Sequence, residues 1–133
     1  QILPNGDETQ IGEKGITLSG GQKTRVSLAR AVYSQSDIIL LDDILSAVDN
    51  HVGDHIFNRC LKEELKSRTI VLATHNLKFV NRVDLILVLE NGQIVQRGSF
   101  KELLLEENGC FPKMYNSHRQ LSQNLVDSNS NSS

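Results

Sequence analysis

At 133 residues, with 38% apolar and 23% charged side chains, the chain is long enough for one small globular domain. A formal net charge of -2 offers no basic surface for nucleic acid, and no apolar run approaches the ~20 residues that span a bilayer. The two cysteines, Cys60 and Cys110, stand in no metal or redox spacing and read as reduced thiols of a cytosol-facing protein.

The chain shows no signal peptide and does not start with Met, so a piece of something longer is expected. Residues 1–10, QILPNGDETQ, are a polar lead-in with Pro4 and an Asn5-Gly6 turn signal, which predicts a surface loop. Leu18-Ser19-Gly20-Gly21-Gln22 then opens a helix that runs to about Ser34. Ser19 and Gln22 have the reciprocal Ser-x-x-Gln capping spacing. Gly20 and Gly21 weaken the first turn, and are expected only where something approaches bare backbone. A helix start with free N–H groups suits a phosphate. Val26, Ala29 and Tyr33 fall on one helix face, and Lys23, Arg25 and Arg30 on a solvated one.

Residues 37–42 form a strand, with Ile38-Ile39-Leu40-Leu41 apolar throughout, as in a parallel strand buried on both faces. It ends in Asp42-Asp43, where open α/β sheets bind ligands. One carboxylate there can hold a hydrated Mg²⁺ while the other orients or deprotonates a water. Ser46-Ala47-Val48-Asp49 turns into an amphipathic helix over about 50–65, capped by Asp49 or Asn50. Its Cys60 reads as a small core hydrophobe, and His51 and His55 as a solvated face. A second buried strand, residues 69–73, ends in Thr74-His75-Asn76, with a helix to about Arg82. His75 therefore emerges at the same sheet edge as Asp42 and Asp43. Residues 84–89, Asn91-Gly92 and residues 93–97 predict a β-hairpin. Ser99 caps a short helix over 100–107, which Gly109 and Pro112 break, and the Ser/Asn-rich stretch 117–133 is expected to be disordered.

LSGGQ, an apolar strand ending in Asp42-Asp43, then SAVD, then a strand ending in Thr74-His75 together resemble the ATP-binding cassette of ABC transporters, over about residues 11–115. GEKGITLSGGQKTRVSLARAVYS with LLDDILSAVD is similar in particular to the first cassette of the multidrug-resistance-associated (family C) transporters, long chains with two cassettes each. The resemblance implies an α/β fold, a partial P-loop NTPase-type (RecA-like) parallel sheet flanked by helices. It implies ATP and Mg²⁺ as cofactors, a head-to-tail sandwich with a second cassette, and transmembrane domains of the same transporter as partners. It places residues 1–116 in the C-terminal part of a cassette, and residues 117–133 in a linker towards a second membrane domain. The location it implies is the cytosolic face of a plasma or vacuolar membrane.

Residue by residue, the resemblance implies that Ser19, Gly20 and Gly21 bind the γ-phosphate of a nucleotide held by the partner cassette. Gln22 contacts that nucleotide's sugar or orders the loop. Asp42 holds Mg²⁺ through water, and Asp43 stands where most cassettes carry the catalytic Glu. Asp49 couples the two sites, and His75 touches the γ-phosphate of this cassette's own ATP. Two departures stand out. No G-x-x-x-x-G-K-[ST] phosphate loop occurs in the 133 residues, nor the family's Gln-bearing loop, so the chain alone is expected to be inactive. Asp43 is also a methylene shorter than Glu, which predicts a slow site. The competing expectations are a soluble cassette ATPase acting on DNA or ribosomes, and a truncated, non-catalytic interaction fragment.

Overall fold

The computed structural model describes residues 18–130, and side chains to residue 123. The expected surface loop over 1–10 lies outside the described residues. The chain divides into two units, Gln1–Asn76 and Leu77–Ser133.

The first unit is α/β, as its alternation of helical and strand-like segments predicts. Helix α1 (Gly20–Tyr33) leads to strand β1 (Ile38–Asp42), which pairs in parallel with β2 (Thr69–Ala73). Ile38 faces Thr69, Leu40 faces Val71 and Asp42 faces Ala73, so both strands point their carboxyl ends to one edge. The connection between them is helix α2 (Asn50–His55), which widens into a π-helix over Ile56–Glu64. The Leu65 N–H donates to the Cys60 carbonyl at 3.0 Å, five residues back, and Ile56, Phe57, Leu61 and Leu65 are all buried. The Arg68 guanidinium donates to the Val32 carbonyl at 3.1 Å, satisfying an acceptor in the last turn of α1.

The strands differ from the expectation of two buried faces. Ile39 and Leu41 are buried, whereas Leu40 is 76% and Val71 51% exposed. A continuous apolar run suits a strand covered on both sides; among the described residues only one side is covered. Helix α1 likewise buries Leu28 but leaves Ala29 and Tyr33 exposed. Lys23, Arg25 and Arg30 are exposed as expected.

The second unit starts with a short 3-10 helix (Leu77–Arg82) and a hairpin of β3 (Ile86–Glu90) and β4 (Gln93–Gly98). Asn91 at φ 50° and Gly92 at φ 77° form its two-residue turn, the conformation that Asn-Gly adopts at least cost. Helix α3 (Phe100–Leu105) carries a complete capping box between Ser99 and Glu102. The Ser99 backbone N–H, then its hydroxyl, hold the Glu102 carboxyl below the usual range. The core of this unit is Val80, Ile86, Val88, Leu103 and Phe111, with Phe100 and Tyr115 packed against it. Leu103 is wholly buried, so Leu103→Ala is expected to cost about 2–5 kcal/mol, read as a lower midpoint in urea unfolding.

Helix α4 runs Cys110–Ser130, taking in Pro112 within its first turn, where the missing N–H has no intrahelical partner to lose. The Gln96 side-chain carbonyl caps its start, accepting from the Phe111 N–H at 2.8 Å. Phe111 is buried and stacks on Tyr115, with ring centroids 6.1 Å apart. Low apolar content argues against burial rather than against a helix, and Leu121 on the continuing turns is indeed 66% exposed. No helix among the described residues is long and apolar enough to cross a membrane.

Candidate functional site

The start of α1 forms the reciprocal capping pair that its sequence predicts. The Ser19 N–H donates to Gln22 Oε1 at 2.9 Å and the Gln22 N–H donates to Ser19 Oγ at 3.3 Å. The Lys23 N–H already reaches the Ser19 carbonyl at 2.9 Å, so the helical ladder starts there. The N–H groups of Gly20 and Gly21 precede it and have no intrahelical acceptor. Ser19 Oγ uses a lone pair on Gln22 and keeps its proton to donate. Ser19 and Gly20 are exposed, and a methyl built on Gly20 would meet nothing within 4 Å. That open face, with donors and the positive end of a 14-residue helix behind it, fits an anion.

Gly21 differs. A methyl there would lie 3.2 Å from the Ala47 carbonyl and 3.9 Å from Val48 Cγ1. The close approach that the paired glycines predict thus comes, at the second of them, from the chain's own 46–49 turn.

At the carboxyl ends of β1 and β2 the acidic pair separates. Asp42 ends β1 as an exposed residue, on the side of the sheet that Leu40 also faces. Asp43 turns away with φ 46°, a left-handed conformation that Asp tolerates better than most residues. It is pinned there at three points. Its N–H donates to the Ala73 carbonyl at 2.8 Å, extending the parallel ladder by one step. Its carbonyl accepts from the Ser46 N–H at 3.2 Å and from the Ser46 hydroxyl at 2.8 Å. Its carboxylate lies 3.2 Å from His75 Nδ1 and 3.4 Å from the Thr74 hydroxyl, which itself accepts from the Asn76 N–H.

The structure therefore brings Asp43 and His75 together and keeps Ser19, Gly20, Gly21 and Gln22 as a separate group. Asp49, the third element, is the N-cap of α2: its Oδ1 accepts from the Val52 N–H at 2.9 Å. Ser46 and Thr74 are the contributors that sequence reasoning passed over. Asp-x-x-Ser after a strand was a readable sign of a hydroxyl closing a turn on a backbone carbonyl. Among the described residues no group of three His, Cys, Asp or Glu side chains is placed to hold a metal ion. One carboxylate is nevertheless a normal protein share for Mg²⁺, which keeps waters and takes other oxygens from phosphate, so Asp42 suits that ion. His51 and His55 are exposed, and burial, then Glu64, pushes the Cys60 thiol up, which keeps it protonated and unreactive.

Residues 3–46 match the family model described as ABC transporter. The chain is 57% identical over 115 residues to human "ATP-binding cassette sub-family C member 2", covering 85% of the chain and 7% of that protein. It is 55% identical over 112 residues to "ATP-binding cassette sub-family C member 3" of Rattus norvegicus, covering 83% of the chain and 7% of that protein. To "ABC transporter C family member 9" of Arabidopsis thaliana it is 45% identical over 126 residues, 95% of the chain and 8% of that protein. The chain thus spans less than a tenth of the length of the curated relatives it matches.

Proposed function

We propose, from the premise that the chain is part of an ABC transporter cassette of the family C kind, that it serves ATP-driven transport across a membrane from the cytosolic face. It is read as the part of the cassette that covers a partner's nucleotide with Ser19, Gly20 and Gly21 and acts on its own with Asp43 and His75. The observation that carries this is the convergence of Asp43 and His75 at 3.2 Å, at the shared ends of two parallel strands and next to Asp42 in the chain.

In this reading the Ser19 hydroxyl and the N–H groups of Gly20 and Gly21 donate to phosphate oxygens. Gln22 orders the loop through its bond to the Ser19 N–H. Asp42 holds Mg²⁺ mostly through water; when bound, that ion supplies charge neutralisation at the phosphates. Asp43 orients the attacking water, and His75 meets the terminal phosphate. The partners are a second cassette, head to tail, and the transporter's own membrane domains. The substrate class that fits family C is an organic anion, conjugate or drug.

The test compares the complete protein with this chain alone. In sealed vesicles, the complete protein is expected to drive Mg-ATP-dependent uptake of an anionic conjugate. The isolated chain, which holds no phosphate loop, is expected to turn over no ATP. Robust Mg-dependent hydrolysis by the isolated chain overturns the division of labour, and hydrolysis without uptake by the complete protein selects a soluble type of cassette ATPase.

A further inference from the structure

The contact between Gly21 and the Ala47 carbonyl joins two groups that the functional reading assigns to different nucleotides. Gly21 belongs to the turn facing the partner's nucleotide. Ala47 follows Ser46, whose N–H and hydroxyl both hold the carbonyl of Asp43. Two residues beyond Ala47, Asp49 fixes the far end of the loop by capping α2. The 43–49 loop is therefore held at both ends by hydrogen bonds, and in its middle it rests against the start of α1.

Glycine fills that seat without displacing the loop. A side chain at position 21 would press on a backbone carbonyl at 3.2 Å, so the loop or the helix would have to give by a few tenths of an ångström. At position 20 the same methyl enters open space. The two glycines therefore look alike in sequence and differ in what they touch.

We infer that Gly21 is a positioning residue for the chain's own hydrolytic centre: its bare Cα seats the 43–49 loop and so sets where Asp43 stands. This rests on the functional reading above, which supplies Asp43 with its role. The consequence is a mechanical link inside one chain. A partner nucleotide that draws the start of α1 towards itself also moves the loop that carries Asp43. The Asp43 carbonyl is bonded to Ser46 of that loop, so a shift of the loop pulls on Asp43 against its anchors on Ala73 and Thr74.

The test compares Gly21→Ala with Gly20→Ala in the complete protein, reading vanadate-trapped photoreactive ATP separately at each cassette. Both variants are expected to weaken trapping at the partner's site. At the chain's own site Gly21→Ala is expected to trap about fourfold less than Gly20→Ala, because a few tenths of an ångström is a fraction of the ~1 Å misplacement that costs on the order of 10²-fold. Overall destabilisation would lower trapping at both cassettes in proportion and lower the melting temperature with it. Equal own-site trapping in the two variants overturns the inference. Ser46→Ala, which loosens the loop without touching the glycine turn, should reproduce the own-site loss, and decides the matter should Gly21→Ala fail to fold. Hydrogen exchange keeps the inference separable from the functional reading. Even in a protein that traps no nucleotide, Gly21→Ala should speed amide exchange over residues 44–49 more than Gly20→Ala does, and identical exchange in both sinks it.

Discussion

Asp43→Glu in the complete protein is expected to raise hydrolysis at this chain's own nucleotide about tenfold. Two effects compete. The added methylene advances the carboxylate by ~1.5 Å, and a misplacement of that size can cost on the order of 10²-fold. Against this stands the backbone. Asp43 sits at φ 46°, where a longer side chain gives up the local tolerance of Asp. That penalty is about 1–2 kcal/mol, a factor of roughly 5–30 in the population of the working conformation. The gain in reach exceeds the loss, though by less than the side-chain length alone suggests. Single-site turnover measured with the partner's site disabled checks it, and an unchanged or lower rate would mean that the strained turn, not the carboxylate's reach, limits this site. The left-handed turn and the short carboxylate thus suit each other, and lengthening one strains the other.

What could be read from the residues was whatever depends on near neighbours. The Ser19–Gln22 capping pair needs only four residues, and the Asn91-Gly92 turn needs two, so both are found as expected. The shared edge of Asp42, Asp43 and His75 followed from two apolar strands joined by a helix, because parallel strands must end on one side. What escaped depends on contacts far along the chain. Nothing local distinguishes Gly20 from Gly21; the difference is the Ala47 carbonyl, 26 positions on in the numbering. The exposure of Leu40 and Val71 also escaped, since an apolar run states what a strand could bury and not what is there to cover it. The start of α4 likewise rests on a distant residue, since the Gln96 side chain that accepts from the Phe111 N–H lies 15 positions back.

His75→Ala is expected to have the larger effect, a loss of about 10²–10³-fold in hydrolysis at the chain's own site, the usual cost of removing one donor aimed at developing charge. The geometry says why so exposed a residue should matter that much. The His75 side chain is 79% and the Asp43 side chain 32% exposed, so their contact adds little to folding stability. Its use is orientation. With Nδ1–H donating to Asp43 Oδ2, the ring is fixed and Nε2 is directed elsewhere. In the proposed reading a ring that bridges Asp43 at one nitrogen and a phosphate oxygen at the other would make water orientation and phosphate contact share one carboxylate. His75→Gln keeps an N–H donor but not the two-sided ring, and should recover part of the loss. Combining His75→Ala with Asp43→Asn should cost less than the product of the two single losses, because each already breaks the same pair. Independent, multiplying losses would show that the 3.2 Å contact has no part in the reaction and that the two side chains act on ATP separately.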